Sequence, residues 1–245
     1  MAWPAEAPAG SSGTNDPIAA IMQAARITRT GTNTYTVSGV TVDKAARTLR
    51  IPAVVNMREK VIEYALVTRS GKSHESLFAT EVSPTDVHVA ALLLGWQPRD
   101  IIALTNRVWE IPESSAVTIT ASWQHEGRSH RHSLNELIGL AEKEPEVITR
   151  PLDAGPWFYN GSRIPEGGPF IAEQGGSIVS LIFDPDALVN NPHPDRSNDD
   201  IHFPNTPLLP PVGTTVIVEF TPTEASKAAP SANESKAARH EQERR

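Results

Sequence analysis

The sequence predicts an α+β, β-dominated single domain of mainly antiparallel strands with a few short covering helices. Three observations carry that prediction. Short β-branched and aromatic runs are joined by tight turn pairs such as Ser70-Gly71 and Glu126-Gly127, which are hairpin signals. Val117, Ile119, Ala121 and Trp123 alternate with Thr118, Thr120, Ser122 and Gln124, the period of a half-buried strand. Helical patterns fall between hairpins instead of between successive single strands, so the order argues against repeated βαβ units.

The elements follow in order. Residues 1–27 read as a flexible lead-in with a short helix over 17–27, capped by Asp16. Residues 35–42 and 48–55 are strands, with Pro52 marking an edge or an irregular exit. Residues 61–69 form a strand that Ser70-Gly71 turns back, so that Val67 faces His74 and Glu63 faces Phe78. In this register Ile62, Tyr64, Leu66, Glu75 and Leu77 share the apolar side.

Ser83 then caps a helix with Pro84 at its first position and Asp86 three residues on; Val87, Ala90, Ala91 and Leu94 form its stripe and Gly95 ends it. His88 lies off the Val87–Leu94 stripe and reads as solvated. The 98–112 segment is ambiguous: Ile101, Ile102 and Leu104 are apolar, and a polar connection follows.

In the second half, Glu126-Gly127 folds the alternating strand back so that Trp123 meets His130 and Ala121 meets His132. Ser133–Glu136 repeats the capping-box pattern and predicts a helix ending near Lys143. Strands are expected at 157–160, 170–172, 177–183 and 214–220, with Asp184-Pro185-Asp186 a turn and 191–211 a Pro-rich loop. The domain thus spans 28–221, and 222–245 is a disordered charged tail.

Composition narrows the function. A net charge of -7 gives no basic stripe for nucleic acid. With no cysteine, disulfides, thiolate zinc sites, iron–sulfur ligation and a cysteine nucleophile are excluded. No run reaches the length of a transmembrane segment, and residues 1–10 lack the basic and apolar regions of an export leader.

Gly39-Val40-Thr41-Val42-Asp43, Ile62-Glu63-Tyr64, the run from Gly71 to Leu77 and Ala90-Ala91-Leu92-Leu93-Leu94-Gly95 carry a resemblance. Trp157, Asn160-Gly161-Ser162-Arg163, Ile171-Ala172, Gly176-Ser177 and residues 184–188 continue it. The chain resembles the YdjY-type domain of bacterial, often exported proteins of unassigned function, over roughly residues 37–220. The resemblance implies a periplasmic or extracellular location, with the leader absent from this chain. It supplies no activity, and the iron–sulfur label of some relatives does not transfer to a chain without cysteine.

The foremost candidate site is His74-Glu75 with Glu63 and Ser76, four residues able to bind a ligand: an imidazole beside carboxylates can hold a divalent ion or move a proton. Read as structure, Glu75 instead accepts backbone hydrogen bonds. His125, His130 and His132 are either a zinc or copper set or surface histidines of a hairpin. His193, His202, Asp195, Asp199 and Asp200 crowd the Pro-rich loop without calcium-loop spacing and read as solvated. Trp157 and Tyr159 fall on one face, as core or as an aromatic platform. Ser76 lacks the G-x-S-x-G elbow of serine hydrolases. The expectation is an exported binding or assembly domain without catalytic activity or cofactor, whose partner is an unknown protein or small ligand. The alternative is a metal-dependent hydrolase centred on His74 and Glu75.

Overall fold

The computed structural model describes residues 21, 25–101, 111–141, 147–166 and 168–223. The lead-in up to residue 20, most of the helix expected over 17–27, Ile102, Leu104, Lys143 and the tail from residue 224 lie outside the described residues.

The first strands are β1 (Ile27–Arg29), exposed throughout, and β2 (Thr34–Val37), β3 (Val40–Asp43) and β4 (Thr48–Val55), which carry apolar residues two apart. The run expected as one strand over 35–42 is a hairpin, because Ser38 and Gly39 both have positive φ, 44° and 105°, and turn β2 onto β3. β5 (Tyr64–Thr68) and β6 (Ser76–Thr80) follow, then helix α1 (Pro84–Leu93). β7 (Ala116–His125), β8 (Arg128–Ser133), β9 (Ile138–Leu140), β10 (Arg150–Pro151) and β11 (Trp157–Tyr159) come next. The chain ends through helix α2 (Ile171–Gly175), β12 (Ser177–Ser180), β13 (Val189–Asn190), β14 (His202–Pro204) and β15 (Thr215–Pro222).

Pairing runs β4-β15-β7-β11-β13-β12-β5-β6, and β6 pairs back onto β4, so eight strands close a barrel. Strands β3, β2 and β1 extend outward from the first half of β4, and β8 continues from the second half of β7. A separate small sheet, β10-β9-β14, stands beside it. Pro52 sits where one edge of β4 passes from β3, last paired at Arg50, to β6, first paired at Val54.

The expectation of mainly antiparallel strands is corrected to a mixed sheet: β5 with β6 and β12 with β13 run parallel. The expected hairpin at Ser70-Gly71 is therefore absent. Tyr64 lies beside Ser76 and Leu66 beside Phe78, because the chain doubles back through a 3-10 turn at Ser73–Glu75 before β6 begins. β5, β6 and β12 are buried on both faces, as parallel strands are, so alternation could not assign an inner side.

Inside lie Leu49, Ile51, Val55, Val117, Ile119, Val218 and Phe220, all essentially without exposure. Each such side chain contributes roughly 1.5–3 kcal/mol by burial. Helix α1 forms as expected: Ser83 Oγ accepts from the Asp86 amide at 3.1 Å, and Gly95 leaves the helix at φ +77°. Glu173 of α2 receives both the amide and the hydroxyl of Thr85, placing a carboxylate at the positive end of α1.

Glu126 and Gly127, at φ 49° and 75°, make the β7–β8 turn, and Trp123 pairs with His130 and Ala121 with His132 as expected. Two helix expectations are revised. Ser133 and Glu136 do exchange capping-box bonds, 2.8 Å to the Ser133 amide and 3.3 Å from that of Glu136, but only one turn results. Ile138–Leu140 is claimed by strand partners on both sides. Conversely 170–172, expected as a strand, opens α2. The loop over 191–211 is not wholly irregular either, since it contains β14.

Candidate functional site

The connection between β5 and β6 gathers the expected residues and adds three that the sequence did not mark. Asn56 Nδ2 fixes its shape by donating to the carbonyls of Ser73, at 2.6 Å, and Ser76, at 2.8 Å. The Glu63 amide donates to the Glu75 carbonyl at 2.9 Å, bringing these two residues side by side. His74 points to solvent, with its side chain 77% exposed, and its Nε2 stands 3.5 Å from Glu75 Oε2. Ser76 turns the other way: fully buried, it donates its hydroxyl to the Lys72 carbonyl at 2.6 Å.

Lys72, Tyr64 and Asp184 complete the cluster. The Lys72 ammonium donates to the Tyr64 hydroxyl, lies 3.5 Å from Asp184 Oδ2 and sits 4.3 Å from the centre of the Tyr64 ring. The Tyr64 hydroxyl in turn donates a hydrogen bond to Asp184 Oδ2 at 2.9 Å. Burial, and after it the Asp184 carboxylate, push the phenol far above its ordinary range, so this hydroxyl stays protonated and is no base. The Glu63 carboxyl is also raised, first by burial and then by Glu75 and Asp199, while Lys72 and His74 oppose. Asp184 is 120 positions from Tyr64 in sequence, and no local pattern announces their meeting.

The other histidines are also placed. His88 is buried, 2% exposed, with Nδ1 2.8 Å from the Tyr159 hydroxyl and its ring 5.1 Å from that of Phe170. The expectation of a solvated His88 fails because α1 is covered on more than its Val87–Leu94 stripe. His202, expected in a solvated loop, is fully buried on β14 and holds Asp195 Oδ2 at 2.8 Å. Burial works to raise the Asp195 carboxyl, but hydrogen bonds from His202 and Asn191 outweigh it and hold the group below its ordinary range. His130 and His132 stack with Trp123 at ring separations of 5.6 and 5.5 Å. Trp157 and Tyr159 are core residues, each 1% exposed. Among the described residues, no group of three or more His, Asp or Glu is arranged to hold a metal ion.

Burial lowers the His88 imidazole from 6.5 to about 4. The folded protein therefore refuses a proton that the unfolded chain accepts. Stability is full above the unfolded value and falls as pH drops from 6.5 towards 4, by roughly 3 kcal/mol. Urea unfolding at several pH values should show that slope, and His88→Gln, which keeps a partner for Tyr159, should flatten it. An unchanged slope in the variant would remove His88 as its source.

The model of the YdjY domain family matches residues 40–221, most of the described barrel and the whole crossover. The chain belongs to the YdjY domain family. Neither a curated protein nor a solved structure matches it. The family match covers β3 through β15, so in this YdjY domain the barrel and the polar crossover are one unit. No described helix of the YdjY domain is long and apolar enough to cross a membrane.

Proposed function

We propose that this YdjY domain is an exported, non-catalytic binding or assembly module whose working surface is the β5–β6 crossover. One observation carries the reading: the crossover keeps an imidazole and two carboxylates at its surface and its hydroxyls inside. Glu63, His74 and Glu75 reach solvent, whereas the Ser76 hydroxyl and the Tyr64 phenol are buried in bonds that hold the crossover together, and the half-exposed Lys72 ammonium is tied to Tyr64 and Asp184. Two neighbouring carboxylates suit a protein or small ligand that presents positive charge. The net charge of -7 speaks against nucleic acid as that partner. Export rests on the family resemblance, and fractionation of the source cells producing the protein from its native gene tests it; retention in the cytoplasm would overturn it.

The metal-dependent hydrolase is tested by elemental analysis of wild type and Glu75→Ala after equal dialysis. The binding reading expects sub-stoichiometric metal in both proteins and an unchanged fold. Near-stoichiometric metal in wild type, lost in Glu75→Ala, would overturn the reading and restore the hydrolase.

A further inference from the structure

A second polar assembly lies on the outer wall of the barrel, away from every residue of the crossover cluster. Glu219 on β15 projects outward yet is only 7% exposed, because arginines from two other strands cover it. Arg50 of β4 donates through Nε at 2.5 Å, and Arg131 of β8 through one terminal nitrogen at 2.6 Å. Burial works to raise the Glu219 carboxyl, but the two guanidinium groups outweigh it and keep it ionised. Beside this triad the β3–β4 turn brings Arg47 to the rim of a hollow of about 520 Å³, floored by Thr48 and Thr221.

Two features of the hollow are unbalanced. Two guanidinium groups, those of Arg50 and Arg131, meet on the single carboxylate of Glu219. Glu219 engages only part of each donor fork, and the side chains of Arg50 and Arg131 remain 46% and 55% exposed. In addition, Thr48 is 6% exposed and its Oγ1 is buried without a hydrogen-bond partner among the described residues. A buried hydroxyl without a partner is costly and rare. Surplus positive charge over an unsatisfied donor is the composition of an anion site.

We propose that this hollow binds a small oxyanion, a phosphate or carboxylate group, between Arg47, Arg50 and Arg131, with the Thr48 hydroxyl donating from the floor. A planar guanidinium fork matches either group in two-point fashion, and the Thr48 hydroxyl supplies a third direction. Glu219 acts as a positioning residue that holds the two flanking arginines in place. The site is independent of the crossover, and a failure of either leaves the other standing.

The test is thermal unfolding of the full chain in inorganic phosphate, in succinate and in chloride at matched ionic strength. The comparison uses wild type, Thr48→Val and Arg47→Asn. Asparagine tolerates the positive φ of 54° at position 47, so the turn is kept. Phosphate, succinate or both should raise the wild-type midpoint above that in chloride, and whichever does so names the class of oxyanion. In chloride, Thr48→Val should melt at or above the wild-type temperature, because it removes an unsatisfied hydroxyl at constant shape. The same variant should weaken anion binding by about tenfold, and Arg47→Asn should weaken it likewise. Equal midpoints in all three salts would overturn the proposal. So would an anion effect that both variants retain in full, since the anion would then sit elsewhere.

Discussion

Asn190→Leu is expected to lower the unfolding free energy by about 4 kcal/mol. The Asn190 side chain is fully buried and makes three bonds: its Oδ1 accepts from the Asp184 amide at 3.0 Å, and its Nδ2 donates to the Asp184 carbonyl at 2.8 Å and to Asn160 Oδ1 at 2.9 Å. Leucine fills the same space but leaves all three partners buried and unpaired. At roughly 2 kcal/mol each these losses reach about 6, and the new apolar burial returns about 2. Asn190→Asp should be no better, since it removes the donors and sets a second buried carboxylate near Asp184. Urea unfolding with an unchanged slope measures both. A leucine variant within about 1 kcal/mol of wild type would mean that the three bonds have water to replace them. Because Asp184 in turn anchors Tyr64 and Lys72, Asn190 supports the crossover from behind.

The second large effect concerns two glycines. At Gly176, φ is +68°, and an added Cβ would stand 2.2 Å from Thr68 Oγ1 and 2.8 Å from Gly71 Cα. Gly176→Ala should cost about 3 kcal/mol or more, about 1 from the left-handed backbone and the remainder from displaced neighbours. A Cβ at Gly71 would in turn meet the Gly175 carbonyl at 2.8 Å. The two substitutions strain one contact, so a double-mutant cycle should show the pair costing less than the sum. Strict additivity would refute the contact between the crossover and the start of β12.

What the sequence disclosed was local. Ser83, Pro84 and Gly95 marked α1 because caps act within one turn, and Glu126-Gly127 set the Trp123–His130 register because a two-residue loop leaves no other. The Ser70-Gly71 pair carried the same kind of signal and misled. Gly71 is needed for close approach to Gly175 and Gly176, not for a hairpin, and that requirement is visible only once β12 lies beside β5. Burial of β5 and β6 on both faces erased the alternation that would have exposed the error. At the site, Glu63, His74 and Glu75 were marked by residue type, but the expected hairpin set Glu63 opposite Phe78; the parallel pairing is what brings Glu63 beside Glu75, and Asp184 arrives from another part of the barrel. The orientation of Ser76 depended on the parallel pairing and could not be read beforehand. His88 and His202 were misplaced for a related reason: covering elements distant in sequence bury them.

The place of β15 governs how the molecule can come into being. It lies between β4 and β7, paired with each over six consecutive positions, yet it follows every other described strand along the chain. Until residue 222 has been synthesised, β4 and β7 face a gap one strand wide, with two open edges able to recruit the wrong partner. Emerging segments can therefore not mature one after another, and the wall closes only in a late step joining distant parts of the chain. Such a polypeptide leaves the ribosome, or any channel it is threaded through, before it has its shape. A chain stopped just short of Thr215 is expected to aggregate instead of folding into a smaller barrel.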